Sequence, residues 1–155
     1  MQIRDFTPAD TEALAALYRD AVREIGPQAY TPAQVDAWAL YPEDLPEFSA
    51  RLSRGTTLVA ESEQKAVAFG QLDPADHIAF LYTASAFGRR GLATEIYGRL
   101  EARAVAQGAR FLDTEASRIS RGLFAKLGFA LREVERVTRY GVEFERFRMR
   151  KQLEA

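Results

Sequence analysis

His77 is the sole histidine in a chain of 155 residues, and the chain contains no cysteine. Imidazole has an ordinary pKa of about 6.5, which suits it to accept a proton near neutral pH. Any imidazole chemistry therefore happens at His77. The same composition excludes disulfide frameworks, thiolate zinc sites, iron–sulfur clusters and cysteine nucleophiles. A multi-histidine metal centre is excluded as well, and no metal is expected. Glu115 and Glu61 are the other candidate proton acceptors. The competing account of His77 is a partly buried imidazole at a strand end beside Asp76.

A second chemical feature is the segment Gly88-Arg89-Arg90-Gly91-Leu92-Ala93-Thr94. It follows an apolar run and opens a helical pattern. Small residues at Gly91 and Ala93 let a ligand approach the backbone. Free N–H groups at a helix start, with the helix dipole behind them, attract anions such as a pyrophosphate. Arg89 and Arg90 add positive charge. A plain turn with two solvated arginines is the competing account.

These residues need elements to position them. Residues 2–6 form a short strand candidate. Thr7-Pro8-Ala9-Asp10 is a helix start, with a hydroxyl cap, an early proline and an acid in the first turn. Leu14, Leu17, Tyr18, Ala21, Val22 and Ile25 recur at helical period up to Gly26-Pro27. Thr31-Pro32-Ala33-Gln34 is a capping box that opens a short helix carrying Val35 and Trp38. Residues 44–53 form a third helical piece. Strands are predicted over 56–61, 66–72 and 77–83, with a polar turn at Ser62-Glu63-Gln64-Lys65. A long helix runs from Leu92 to Gly108, a strand over 111–116, and a short helix through Ile119, Leu123 and Leu127 to Gly128. Two closing strands meet near Arg139-Tyr140-Gly141. The pattern predicts one mixed α/β domain over residues 1–155.

Charge narrows the partners. Lysine and arginine total 21 against 22 acids, a formal net charge of −1. A dedicated nucleic-acid binder usually has a basic excess, so no nucleic-acid partner is expected. The N-terminus has no basic region leading into an apolar run, and no stretch has the length of about 20 apolar residues that spans a bilayer. A cytoplasmic protein with no membrane partner is the expectation.

The loop pattern Gly88-x-x-Gly91-x-Ala93 resembles the acyl-CoA pyrophosphate loop of the GNAT N-acetyltransferase superfamily, which reads Gln/Arg-x-x-Gly-x-Gly/Ala. The first position departs and the others fit. His77-Ile-Ala-Phe-Leu-Tyr-Thr83 is similar to the family's fourth strand. Phe124-Ala-Lys-Leu-Gly-Phe129 is similar to the Tyr/Phe-x-x-x-Gly-Phe segment of its last helix, and Val137 to Met149 to its closing hairpin. Tyr30-Thr-Pro-Ala-Gln-Val-Asp-Ala-Trp38 is similar to a segment of one bacterial subgroup. The resemblance covers nearly the whole chain in order.

The resemblance implies a mixed, mostly antiparallel sheet with splayed central parallel strands, flanked by helices. It implies transfer of an acetyl group from acetyl-CoA to an amine. Backbone groups of Leu81, Tyr82 and Thr83 would pair with the pantetheine arm, and Arg89, Arg90, Gly91, Leu92, Ala93 and Thr94 would cradle the phosphates. His77 falls where several members place the catalytic base. Phe124 occupies the position of the tyrosine that many members use as general acid, so it has no proton to give and packs against the pantetheine arm or the core. Tyr82 lies on the opposite strand face from His77 if the strand is regular. Tyr30 and Tyr41 are candidate acceptor-pocket residues. Trp38 reads as a core anchor, and Arg139 and Tyr140 read as exposed turn residues able to close the pocket. Arg118, Arg121 and Lys126 either reach the CoA phosphates or lie on the surface. Without cysteine there is no cysteine-linked acetyl-enzyme, so attack is direct in a ternary complex. A protein lysine or N-terminal acceptor, and a non-catalytic acyl-CoA-binding regulatory module, are the alternatives. A homodimer is an open expectation.

Overall fold

The computed structural model describes residues 1–153. Its strands are β1 (Gln2–Asp5), β2 (Thr56–Ser62), β3 (Lys65–Leu72), β4 (His77–Thr83), β5 (Phe111–Ala116), β6 (Ala130–Arg139) and β7 (Val142–Gln152). Its helices are α1 (Thr11–Ile25), α2 (Pro32–Ala39), α3 (Leu45–Leu52), α4 (Leu92–Ala106) and α5 (Arg121–Lys126). The strands form a seven-stranded sheet in the order β1-β2-β3-β4-β5-β7-β6. Every neighbouring pair is antiparallel except β4 and β5, which are parallel. This is the mixed, mostly antiparallel sheet that the family resemblance implies.

Local signals mostly fold as they read. Thr31 and Gln34 close the capping box: the Gln34 N–H donates to the Thr31 hydroxyl at 3.2 Å, and the Thr31 N–H donates to the Gln34 side chain at 2.9 Å. The start signal at Thr7 instead caps a single 3-10 turn at Pro8–Asp10, and α1 begins directly after it. Asp10 is pulled there because its carboxylate also binds the Arg4 guanidinium at 2.7 and 2.8 Å. Ile119 falls outside the last helix. Residues 117–120 form a serine-stapled turn, in which the Ser117 hydroxyl accepts from the Ser120 N–H at 2.9 Å. Among the described residues no helix is long and apolar enough to cross a membrane.

Both sheet faces are covered. On one side Leu92, Ile96, Leu100 and Ala104 of α4 pack with Ile78, Leu112 and Phe124. On the other, Leu14, Tyr18 and Val22 of α1, Val35 of α2 and Phe48 of α3 pack against Val59, Phe69 and Phe80. The amphipathic period of α1 is what lets it lie on the sheet.

One ion pair reinforces the antiparallel pairing of β5 with β7. Arg150 on β7 grips Asp113 on β5 through two bonds of 2.6 and 2.8 Å and stacks over the Phe111 ring. The guanidinium holds the Asp113 carboxyl below its usual range. Its stabilisation is therefore present above the unfolded carboxyl pKa of about 3.9 and is lost as pH falls through the native value. The pair is solvent-exposed on the arginine side, so water and salt screen the effect and keep it small. Asp113→Asn is expected to flatten the acid side of the stability curve, measured as the urea midpoint between neutral and acidic pH.

Candidate active site

The parallel pairing of β4 and β5 is brief. It covers only His77 opposite Asp113 and Ile78 opposite Thr114. The Thr114 hydroxyl closes the fork by donating to the Ile78 carbonyl at 3.0 Å. Beyond it the strands diverge, so the backbone edge of Ala79–Thr83 that faces β5 has no ladder partner there. An extended ligand can pair with such an edge as an added strand would.

The divergence opens a cavity of about 410 Å³. Ile78–Thr83 line one wall and Thr114–Ser117 the other. Helices α1 and α2 contribute Tyr18, Ala21, Val22, Trp38 and neighbours, and the β6–β7 hairpin contributes Val137, Arg139, Tyr140 and Phe144. Leu81, Tyr82, Thr83, Phe124, Tyr30 and Tyr41 all line it.

His77 sits at the root of the fork. Its Nδ1 lies 2.9 Å from the Asp73 carbonyl, and its Nε2 lies 2.9 and 3.0 Å from the two oxygens of Glu115. A carbonyl and a carboxylate are both acceptors, so the ring that satisfies both is the doubly protonated imidazolium. The hydrogen bond to Glu115 raises the His77 pKa above its ordinary value, against the opposing pull of burial. Burial pushes the Glu115 carboxyl up, but the bond to His77 and the nearby charges of His77, Arg146 and Arg148 hold it below its ordinary value overall. His77 is not among the cavity-lining residues, whereas Glu115 is. The carboxylate therefore stands between the imidazole and the cavity. Glu61 is remote from this arrangement and binds the Arg4 Nε at 2.6 Å.

A β-bulge corrects one expectation. Opposite β3, Phe80 pairs with Gln71 and Ile78 with Leu72, which leaves Ala79 as an extra residue. Ile78 points into the α4 side, while Phe80 and Tyr82 belong to the cluster under α1–α3. The bulge thus places Tyr82 on the same face as His77, not the opposite one. The Trp38 indole N–H donates to the Tyr82 hydroxyl at 3.3 Å. Burial raises the Tyr82 pKa, so the phenol stays protonated. Trp38 is both anchor and wall: it packs edge-on against Tyr30 and also faces the cavity.

The loop expected to hold an anion has the geometry for it. Gly91 caps α4 in the left-handed conformation (φ 78°), and a Cβ added there would meet nothing within 4 Å. The first N–H groups of α4, at Leu92, Ala93 and Thr94, precede the helix's own hydrogen bonds. Leu92 buries its side chain, so its backbone is the part available. Arg89 is exposed, and Arg90 stacks on Phe87 at 4.9 Å. The turn leading into this loop is held by α1: Asp20 accepts from the Ser85 N–H at 2.8 Å and hydroxyl at 3.1 Å. Phe124 is buried edge-on against Phe129 at 5.1 Å and still reaches the cavity wall.

Arg118 is engaged elsewhere than at the loop. Its guanidinium binds Glu145 and the Ala29 carbonyl, both at 3.1 Å, and its N–H donates to the Tyr30 hydroxyl at 2.8 Å. Arg121 lies over the Phe147 ring at 4.0 Å. Sequence reasoning did not single out Tyr18, Phe144, Glu145 or Arg146 as wall residues. Their only signal was the alternation of β7 and the buried stripe of α1, which reads equally as core.

Comparison with known proteins agrees with this architecture. The profile of the acetyltransferase (GNAT) family matches residues 13–129. The uncharacterized N-acetyltransferase YafP of Escherichia coli K12 is 28% identical over 151 residues, covering 97% of this chain and 95% of that protein. A crystal structure of a GCN5-related N-acetyltransferase from Rhodopseudomonas palustris superposes with a TM-score of 0.95 at 31% identity, covering 98% and 95% of the two chains. The PaiA N-acetyltransferase from Thermoplasma acidophilum, solved in complex with coenzyme A, shares the fold at a TM-score of 0.81 and 15% identity, with 98% of each chain covered. With its forked central strands, glycine-capped helix and family match over most of its length, this chain belongs to the acetyltransferase (GNAT) family and is an N-acetyltransferase.

Proposed function

We propose that residues 1–155 act as one catalytic domain that transfers the acetyl group of acetyl-CoA directly to the amine of a small molecule. The observation that carries this reading is the fork after Ile78 and Thr114, which opens onto an aromatic cavity with Glu115 on its wall. Acetyl-CoA supplies the acetyl group as a thioester. Its pantetheine arm fits the open edge at Leu81, Tyr82 and Thr83. Its phosphates fit the cradle of Arg89, Arg90, Gly91, Leu92, Ala93 and Thr94, where the open space beside Gly91 leaves room for them.

The amine must lose a proton before it attacks. Glu115 faces the cavity and His77 stands behind it, so the pair can pass that proton from the amine to His77 Nε2. The Asp73 carbonyl keeps Nδ1 protonated and directs the exchange to Nε2. Holding amine and thioester side by side supplies the entropic part of catalysis. Tyr82 is the protonated phenol on the same face, while Phe124 has no hydroxyl to offer. Tyr30 and Tyr41 belong to the acceptor wall.

The test is acetyl transfer itself. The purified chain should release CoA thiol from acetyl-CoA only when an amine is present, with the acetylated amine found by mass spectrometry. Binding of acetyl-CoA with no transfer to any amine would sink the reading in favour of a non-catalytic module. Gly91→Ala sharpens the test. The left-handed backbone costs the variant about 1 kcal/mol of stability. The new methyl intrudes on the phosphate space, so the Kd for acetyl-CoA is expected to rise at least about tenfold, a change of about 1.4 kcal/mol.

A further inference from the structure

The charges around the cavity are unevenly matched. Glu115 is paired with His77 at 2.9 Å, and Glu145 with Arg118 at 3.1 Å. Arg146 is paired with Glu135. Arg139 also lines the cavity, but among the described residues it has no carboxylate partner, and its one side-chain bond goes to the Thr138 carbonyl at 3.0 Å. The Arg139 side chain is exposed, and the hairpin sets where its backbone stands. Arg139 pairs with Val142 across the two-residue turn Tyr140-Gly141, whose residues are both left-handed (φ 51° and 75°). Such a turn matches the twist of its flanking strands. The hairpin is also tied to α2, since the Gln34 side chain donates to the Glu143 carbonyl at 3.0 Å.

The cavity that Glu115 and Arg139 both line is also walled by Tyr18, Tyr30, Trp38, Tyr41 and Phe144. An amine entering this space meets a carboxylate, an apolar stretch and an unmatched guanidinium. A second ammonium group would face Arg139 with no spare carboxylate to receive it. A carboxylate would complete the guanidinium, whose planar donors suit two-point pairing with it. Complementarity of this kind sets specificity.

We propose that the acceptor is a primary amine carrying a carboxylate on an apolar body, and that Arg139 recognises the carboxylate. This rests on the acetyl-transfer reading above. It disfavours polyamines and lysine-rich peptide segments as acceptors.

The experiment compares amines in pairs that differ only by the carboxylate: phenylalanine with 2-phenylethylamine, leucine with 3-methylbutylamine, and 6-aminohexanoate with hexylamine. Initial rates are measured at saturating acetyl-CoA for the wild type, Arg139→Gln and Arg139→Lys. In at least one pair the acid is expected to exceed its decarboxylated partner about tenfold or more in kcat/KM, a difference of about 1.4 kcal/mol. Arg139→Gln should collapse that ratio toward one, and Arg139→Lys should retain part of it. Equal or better use of the decarboxylated amine in every pair overturns the proposal, and so does an equal loss on both members in Arg139→Gln. A weakened Kd for acetyl-CoA in Arg139→Gln, with the ratio intact, assigns the arginine to the donor and also overturns it. Transfer to the decarboxylated amines alone leaves the acetyl-transfer reading standing while the proposal fails. No transfer to any amine overturns both.

Discussion

Replacing Glu115 by glutamine is expected to lower kcat/KM about 100-fold, the usual scale for losing a positioned proton acceptor. The same change should move the rising limb of the pH–rate profile to lower pH. Both effects follow from the geometry at the root of the fork. His77 is held between the Asp73 carbonyl and the Glu115 carboxylate, and the bond to Glu115 is the largest cause of its raised pKa. In the wild type the activity should therefore rise with pH through a value above the ordinary imidazole pKa of about 6.5. The glutamine keeps the shape but not the charge, so that midpoint falls back toward the ordinary value. The rate falls even so, because Glu115 is the member of the pair that reaches the cavity. His77→Gln should remove the rising limb altogether. Adding it to Glu115→Gln should cost little more, as for two groups that act as one device. An unchanged midpoint in Glu115→Gln, or losses that simply add, would show that the two residues do not work together. The native pair also has a conformational consequence. A raised histidine pKa stabilises the fold fully below the unfolded value and loses that contribution as pH rises through the native value. The imidazolium form that stabilises the fork is thus the form that must give up its proton for catalysis.

Several parts of this site could be read from the residues themselves. The Thr31–Gln34 box, the period of α1 and the glycine at the start of α4 are local signals, and local signals survive folding. The antiparallel hairpins follow from short turns with left-handed residues. Alternation assumes a regular strand and so sends Tyr82 to the face opposite His77. Ala79 is inserted by a β3–β4 register shift, and no residue type in His77–Thr83 announces it. The His77–Glu115 contact spans 38 residues and depends on the parallel pairing of His77 with Asp113, which the linear pattern does not specify. Trp38 has the composition of a core anchor. It becomes a wall residue only because the fork leaves a cavity where a core would otherwise close. Arg139 looked like an ordinary turn residue for the same reason: its meaning comes from which charges across the cavity are already paired.

Gly55→Ala is expected to be among the most damaging single-methyl substitutions in the chain. Gly55 lies between α3 and β2 with φ 58°, and a Cβ there would stand 2.1 Å from the Leu72 carbonyl oxygen and 2.9 Å from the Asp73 Cβ. The first of these atoms is backbone of a central strand and cannot rotate away. Around it the structure is tightly bonded. The buried Gln71 side chain donates to the carbonyls of Arg51 and Arg54 at 2.7 and 2.9 Å, and Arg54 reaches the Asp73 carboxylate at 3.2 Å. Left-handed strain and overpacking together should cost about 3 kcal/mol. In a domain of this size that is a fall of roughly 6–12 °C in Tm. The displaced segment matters for chemistry too, because Asp73 supplies the carbonyl that orients His77 and its N–H bonds the His77 carbonyl at 2.9 Å. Activity per folded molecule should therefore fall, beyond the loss of folded protein. Gly98→Ala is the matched control. Its Cβ would meet nothing within 4 Å on an exposed turn of α4, so helix propensity should raise stability by about 0.5–1 kcal/mol. If thermal melts ranked the two variants alike, the close contact between the α3–β2 connection and the strand leading to His77 would not exist in solution.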